Sequence, residues 1–509
     1  MNRLNHTLIF VVCALCSLAS EAAESPADSI SLRILDHSSP VPELNSSAWL
    51  NPALKQWQWS SSLSTVAVGF NHHKQSQAVN PQQGTGGQDW YFKADSYMKH
   101  RTSTLWGNAS YSNGRIRNKQ WCEAVDLDLI YPYYPADGRG GSLNMEQYAF
   151  SGGYADNTDA WAWGASIGYT AGLYYRPVDP RPKDVTGNLQ IATGGARTIG
   201  NYRLGLGLEF MKYKQSVSIS FVSEMGVDKI YHTTGMGTHY VRFAGNGATT
   251  YYNGYRYGAS LSLLPTSLQG FTATAAVSRF SFNSILSDLN KLPLCGAWHN
   301  EFHLNAGYIT SNWGVTAKFN IYKRHGHENI FGDATGSIYP QIGSSDTYAD
   351  NAYTTAINGA WQRFLSPSVR IHASGEIAYS HRCEAYFTPG RQSITNRAGG
   401  KVAAGVSALL PHQWTVQIDM AYGGQAPVAS NDLILRETTS ASSVPPLIDI
   451  ERTRHSFASA HTNTVSASVA ISRAIAHKYA IRLSGLHYFT TYSGLAHERR
   501  SQAAISFLF

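Results

Sequence analysis

The sequence predicts an all-β fold, a transmembrane antiparallel β-barrel of about 18 strands (range roughly 14–18), with short periplasmic turns and long extracellular loops. Three observations predict it. Apolar residues recur with period two through most of the chain, with aromatic rings at the ends of the apolar stripes. Short and long connections between these segments take turns along the chain. The chain finishes on an alternating apolar run, Ala503 to Phe509, where a chain end is ordinarily frayed and solvated.

Composition narrows the class first. Only 14% of the 509 residues are charged, against about 25% in ordinary soluble domains. Thirty Tyr, 12 Trp and 45 Gly suit a sheet lined by amphipathic rings and small residues. Lys+Arg 40 against Asp+Glu 33 gives +7, spread without a basic block, so no nucleic-acid partner is expected. Residues 1–22 read as a cleaved signal peptide. Arg3 and His6 precede the apolar run Thr7–Ala19, and small residues at Ser20 and Ala22 favour cleavage after Ala22. Three cysteines then remain, Cys122, Cys295 and Cys383, too few and too far apart for a disulfide framework or a metal knuckle. No later run has the ~18 apolar residues of a spanning helix. Residues 23–56 are read as a periplasmic segment able to act as a lumen hatch, and residues 57–509 as the barrel.

The alternation is clearest in four places. Trp161, Trp163, Ala165, Ile167 and Tyr169 share one face, opposite Ala162, Gly164, Ser166 and Gly168. Phe302, Leu304, Ala306 and Tyr308 oppose Glu301, His303 and Asn305; Val369, Ile371 and Ala373 oppose Arg370 and His372; Trp414, Val416 and Ile418 oppose Thr415, Gln417 and Asp419. Strands are expected to begin near Trp57, Asp89, Thr102, Glu146, Ala160, Asn188, Tyr202, Tyr255, Gly270, Asn300, Trp313, Ala352, Pro367, Gly400, Trp414, Thr462, Tyr479 and Arg500. Asp156–Asp159, Thr310–Asn312, Leu365–Ser368 and Pro411–Gln413 read as tight turns. Gly114–Asn144, Arg176–Gly187, Lys214–Asn253, His325–Asp350, Arg382–Gly399 and Gly423–Ala460 read as long loops. A soluble sandwich has no reason to keep this asymmetry; a membrane barrel does.

The ending follows from the same logic. Ala503, Ile505, Phe507 and Phe509 fall on one face of a last strand that closes against the first. Phe507 and the terminal Phe509 also resemble the C-terminal signal by which bacterial outer-membrane barrels are recognised for assembly. The expected partners are therefore outer-membrane lipid and the barrel-assembly machinery.

Asn51, Pro52 and Ala53, ahead of the first strand, are similar to the entry segment of fatty-acid-transporter-type barrels, in which the N-terminus tucks into the lumen as a hatch. In Tyr174–Asp184, three prolines stiffen a charged segment, and Tyr175, Arg176, Asp179 and Arg181 are candidates for a constriction at the mouth. Together with the signal, the Tyr/Trp-rich strands and the terminal Phe, these residues resemble an uncharacterised outer-membrane β-barrel family of Bacteroidota. The resemblance implies a fold and a location in a Gram-negative outer membrane, with no known substrate.

Glu301, Lys318, Arg370, Glu376, Asp419 and Arg482 sit on stripes that must face the lumen, because a charge facing lipid costs about 2–4 kcal/mol at the midplane. His325, His327 and Glu328 have the spacing of a transition-metal capture site, although nineteen histidines make close pairs common. No Ser/His/acid grouping stands out, so an enzyme is not expected, nor a cofactor. The expectation is a channel or transporter for a small solute. The alternative is a non-conducting surface receptor or scaffold, whose loops bind a ligand, metal or haem, or a partner protein.

Overall fold

The computed structural model describes residues 29–223, 229–245, 249–336, 338–436 and 445–509. The signal peptide and its cleavage point after Ala22 lie outside them. Eighteen antiparallel strands close into one barrel: β1 (Leu63–Gln75), β2 (Gly86–Lys99), β3 (Ser103–Lys119), β4 (Gly141–Asn157), β5 (Trp161–Tyr175), β6 (Arg181–Ile199), β7 (Tyr202–Ser220), β8 (Thr250–Pro265), β9 (Gly270–Leu286), β10 (Leu292–Ile309), β11 (Trp313–Phe331), β12 (Gln341–Ser366), β13 (Val369–Tyr386), β14 (Arg391–Leu410), β15 (Trp414–Pro427), β16 (Thr462–Ala476), β17 (Tyr479–Tyr492) and β18 (Ala496–Leu508). Each pairs with the next, and β18 pairs with β1, from Thr65 opposite Leu508 to Gln75 opposite Glu498. Ser64 and Phe509 exchange backbone hydrogen bonds of 2.8 and 3.0 Å and complete the seam. Closure leaves no unpaired edge. Among the described residues no helix is long and apolar enough to cross a membrane.

Two faces follow from the period of two. Outward stripes expose large apolar side chains on strand after strand, among them Phe70, Phe150, Ile167, Leu206, Ile357 and Val402. An ordinary soluble monomer rarely exposes a contiguous apolar patch beyond about 300–600 Å²; here the apolar face runs round the cylinder. Trp161, Trp163, Trp313, Trp361, Trp414 and Tyr479 ring one end of it, and Trp90, Tyr148, Tyr257, Tyr353 and Tyr422 the other.

At the end shared by Leu63 and Phe509 the connections are tight, as at 158–160, 200–201, 310–312 and 477–478. Threonine chemistry shapes two of them. Trp313 N–H donates to the Thr310 hydroxyl at 3.0 Å while Thr310 N–H donates to Trp313 O at 2.7 Å, and Thr158 does the same for Trp161. Apart from the first, strands that start at this end begin within two residues of their expected positions.

The opposite end departs from expectation. Arg176–Gly187 shrinks to a turn at 176–180, and Arg382–Gly399 to one at 387–390, because β6 and β14 start at Arg181 and Arg391. Likewise β12 starts at Gln341, well before Ala352. Beyond the apolar band neither face need be greasy, so alternation fades while backbone pairing continues. Long connections remain at 120–140, 221–249 and 428–461. The first strand begins at Leu63 and not near Trp57, which lies in a short 3₁₀ turn, Lys55–Trp57. Trp57 packs under the Arg203 guanidinium, 4.0 Å from its ring centre, and Trp59 stacks on His37. These rings imitate a strand start in the sequence, but both are held by neighbours inside the fold.

Candidate functional site

The barrel interior is lined twice, by the N-terminal segment at the tight-turn end and by folded loops at the other. Residues 29–62 run as a belt round the inner wall. Ile30 N–H donates to His477 O at 3.0 Å beside β17. Arg370 of β13 donates to Leu35 O (2.7 Å) and Ser38 O (3.0 Å). Asn305 of β10 donates to Leu44 O (2.9 Å), and Thr272 of β9 to Asn45 Oδ1 (3.0 Å). Tyr97 of β2 donates to Lys55 O (3.1 Å). The belt then meets its own start: Asp36 Oδ2 accepts from the backbone N–H and the hydroxyl of both Ser60 and Ser61, at 2.7–3.1 Å. Short 3₁₀ turns at Pro42–Asn45, Ala48–Leu50 and Lys55–Trp57 give the chain its curvature.

Asn51, Pro52 and Ala53 are buried in this belt. Asn51 Oδ1 accepts Ala53 N–H at 2.9 Å, an Asx turn. The wall opposite is hollowed by glycine. A Cβ on Gly164 of β5 would lie 2.6 Å from Pro52 C, and one on Gly194 of β6 would lie 1.9 Å from Asn51 Oδ1. Ala48, Trp49 and Leu54 fill the rest of the contact against Ala162, Ala196 and Leu264.

The loop-end filling is larger. Residues 120–140, a small sheet made by 231–235, 238–239 and 135–136, and the helix Pro445–Ala458 pack against inward side chains of the extended strands. Tyr133, Tyr213, Tyr252, Phe280, Tyr348 and Met236 are among the buried core. Arginines fasten this layer. Arg176 is 5% exposed and reaches Asp137 at 2.7 Å and Glu123 at 3.4 Å. Burial, together with the hydrogen bond to Asp137, pushes the Glu123 carboxyl well above its ordinary range. Burial acts on Asp137 too, but the Glu123 proton, Gly140 N–H and the Arg176 charge outweigh it and hold that carboxyl low. Arg324 of β11 donates to Tyr131 O (2.8 Å), Asp128 O (2.8 Å) and Leu129 O (3.4 Å). Arg454 of the helix contacts Tyr131 Oη and Glu451, both at 2.7 Å. Arg391 donates to Met236 O.

Cavities open along the inner wall. One of about 580 Å³ is lined by Glu376, Arg397, Lys401, Tyr488, Glu498 and Arg500. A second, of about 500 Å³ beneath the 127–131 loop, has Arg256, His299, Glu301, Tyr322, Arg324 and Arg382 in its wall. A third, of about 210 Å³, includes Leu50 of the belt and shares Arg256 and Glu301 with the second.

The charged residues singled out in the sequence lie on inward stripes by strand parity, in different settings. Glu301 borders the second and third cavities, with His299 Nε2 3.4 Å away. Glu376 borders the first. Arg370 is bound to the belt, as described. Asp419 pairs with His372 at 2.7 Å and accepts from Ser468 at 3.1 Å. Arg482 donates to Gln417, and Lys318 stands on the β11 stripe opposite Asn305 and Ala356.

The Pro-rich segment does not form one constriction. Arg176 turns into the loop layer, whereas Tyr175 is exposed on the outward stripe, next to it but on the other face. Asp179 accepts from the N–H groups of Val222 (2.8 Å) and Ser223 (2.7 Å) and pairs with Arg181 at 2.7 Å. The metal site fails for the same reason of parity. His325 stacks on Trp298 on the outer face. Glu328 points inward and accepts from Thr347 and Tyr386. His325 and His327 therefore sit on the face opposite Glu328, and no set of three or more His, Cys, Asp or Glu among the described residues is arranged to hold a metal. Phe507 is exposed on the outer face, stacked 5.8 Å from Tyr479. A Gly-x-Ser-x-Gly string, Gly164–Gly168, occupies the middle of β5 and not the strand-to-helix elbow that would expose a nucleophile.

Sequence reasoning missed Arg324, Arg382, Arg454 and the Glu123–Asp137 pair, and it read the 445–458 helix as loop. Arg324 and Arg382 carried a usable signal: each continues the inward parity of its strand past the apolar band.

Solved structures of low similarity share the general form. The ferric preacinetobactin receptor BauA from Acinetobacter baumannii is 7% identical, with a TM-score of 0.43 over 88% of this chain and 80% of that one. The CymD monoaromatic hydrocarbon channel is 10% identical, with a TM-score of 0.30 over 97% and 96%. No protein of curated function matches. Residues 52–509, which hold the loop layer and the whole barrel, match one family model, and the chain belongs to that family, one of unknown function, DUF6850.

Proposed function

We propose that the chain is an outer-membrane barrel that gives a small solute gated passage, with both chain termini and the belt on the periplasmic side. The membrane reading rests on the outer face. From Trp361 to Tyr353 along β12 the rise is about 27 Å at ~3.4 Å per residue. At a tilt near 40° that spans about 20 Å, close to the ~25 Å apolar band of outer-membrane barrels. The rings at its two ends then sit at headgroup level, where Trp and Tyr are favoured. Export by a cleaved signal and recognition of Phe507 and Phe509 by assembly machinery belong to the same reading.

The observation that carries passage is the interior. A scaffold gains nothing by keeping polar cavities in its middle, since interiors otherwise pack close to crystal density. Here cavities lined by charges of both signs remain against the inner wall, one of them beneath the 127–131 loop. The belt at Asn51–Ala53 is the hatch of this reading. Planar-bilayer recording tests it. The full chain is expected to show small or intermittent conductance, and a variant lacking residues 30–58 a larger, steadier one. Silence from both, with the barrel folded, refutes passage.

The packed loop layer favours a second reading, a non-conducting receptor whose ligand binds without crossing. Binding without flux in proteoliposomes distinguishes it.

A further inference from the structure

We propose that the chamber beneath the 127–131 loop is a binding site for a small anionic solute bearing carboxylate or phosphate oxygens. Four guanidinium groups border this cavity: Arg256, Arg324, Arg382 and Arg454. Their compensation is uneven. Arg382 is engaged by Asp350 at 2.8 and 2.9 Å, and Arg454 by Glu451 at 2.7 Å. Among the described residues Arg324, 3% exposed, hydrogen-bonds only to backbone carbonyls and to His299 Nδ1 at 3.1 Å, with the Tyr322 ring 5.4 Å from its guanidinium. No carboxylate lies within ion-pair distance of Arg324 or Arg256 among the described residues. Arg256 Nε and Arg324 Nε are both buried without a hydrogen-bond partner there.

A buried guanidinium without a counter-charge is costly, and an unpaired buried donor adds to the cost. A carboxylate or phosphate in the chamber would relieve both, because its oxygens match the planar donor fork. The volume suits such a ligand: about 500 Å³ falls within the ~300–1,000 Å³ of small-molecule sites. The smaller cavity that shares Arg256 and Glu301 continues toward Leu50 of the belt. An anion held at Arg256 is therefore on the line between the loop layer and the hatch. Glu301, on the same wall, opposes the anion and sets an upper limit on how tightly it stays, as a site that must release its cargo requires.

The assignment rests on the passage reading for its biological sense, and the test separates the two. Purified full-length protein in detergent is titrated calorimetrically with succinate, inorganic phosphate and, as neutral control, glucose. Saturable binding of one or both anions, without glucose binding, is expected; which anion binds identifies the acceptor chemistry. Arg256→Gln should weaken it about tenfold or more. Glu301→Gln should tighten it about threefold, a gain that misfolding cannot produce. Absence of saturable anion binding at millimolar concentration, or equal binding by wild type and Arg256→Gln, overturns the site. Glucose flux into proteoliposomes without anion binding overturns the site and leaves passage standing. Anion binding without any flux supports the site and removes passage.

Discussion

The belt's docking can be tested at one atom of the wall. Replacing Gly194 by Ala puts a methyl group where Asn51 Oδ1 now stands, 1.9 Å from it. Asn51 has little room to withdraw. Its Nδ2 lies 3.0 Å from where a Gly205 Cβ would be, and its Cβ 3.4 Å from that of Gly207. Overpacking of this kind costs about 1–3 kcal/mol. If Asn51 turns away, Ala53 N–H loses its 2.9 Å acceptor in a buried setting, adding about 1–3 kcal/mol. The outer face of the strand is untouched, so the cost falls on docking of the belt.

At the lower sum, about 2 kcal/mol, the undocked fraction rises about thirtyfold, taking 1.4 kcal/mol per factor of ten. Hydrogen exchange of the 45–58 backbone reads this directly, and Leu54 N–H, bonded to Asn51 O at 3.0 Å, should exchange faster by that factor. Gly152→Ala is the control, since the nearest atom to its new Cβ is 3.9 Å away; it should leave the belt unchanged. Asn51→Ala combined with Gly194→Ala should cost less than the two changes summed, because the clashing oxygen is gone. Unchanged exchange in Gly194→Ala, with the barrel intact, would refute the cradle.

Arg176→Gln should loosen residues 120–140 strongly, since breaking a buried ion pair costs about 3–5 kcal/mol; protease resistance of that segment equal to wild type would argue against the clamp. Glu123→Gln should flatten, without abolishing, the pH dependence of loop docking, since Asp184 also binds the loop at Val125 N–H. In the wild type the undocked Glu123 loses its proton near the ordinary value of about 4.3, whereas the docked one keeps it to a higher pH. The Glu123 contribution to docking is therefore fully present below the ordinary value and is lost as pH rises through the elevated one, which exchange of 120–140, corrected for intrinsic rates, will show. Removing Phe509 deletes both hydrogen bonds to Ser64 and should lower the fraction of heat-modifiable, assembled barrel on a gel; an undiminished fraction would count against the seam.

What was legible in the sequence was whatever lipid-like surroundings enforce. Trp161, Trp313, Trp414 and Tyr479 mark strand starts because each opens an outward apolar stripe, and a one-residue slip would turn that stripe inward. Past the apolar band that constraint lapses. The inward side chains of β7 there, Tyr213, Val217 and Ile219, pack on loops, so the apolar residues pass from the outward parity of Leu204, Leu206 and Leu208 to the inward one and the stripe is broken. The Asn-Pro-Ala turn could be seen but its cradle could not, because Gly164 and Gly194 are ordinary small residues until a distant segment lies against them. Glu123, Asp137 and Arg176 come from two separate loops, and only the closed barrel brings them together.

The two inner layers differ in how they can move, and this places the moving part of the proposed passage. The loop layer is one large apolar cluster, linked through Trp121 and Tyr231 to a smaller one on the 445–458 helix, and is fastened by Arg176, Arg324, Arg391 and Arg454. Lifting it means exposing that cluster and stripping several buried guanidinium groups at several kcal/mol each, so it behaves as a unit. The belt instead touches the wall through three separate small clusters, around Ile30 and Ile34, around Val41 and Leu44, and around Ala48–Leu54. Each can detach while the others hold, and local opening of that kind lies far below the cost of global unfolding. A solute leaving the chamber past Leu50 therefore meets the weaker layer at the Asn51 cradle, the patch whose loss opens the wall beside the chamber while Asp36 still ties the ring at Ser60 and Ser61.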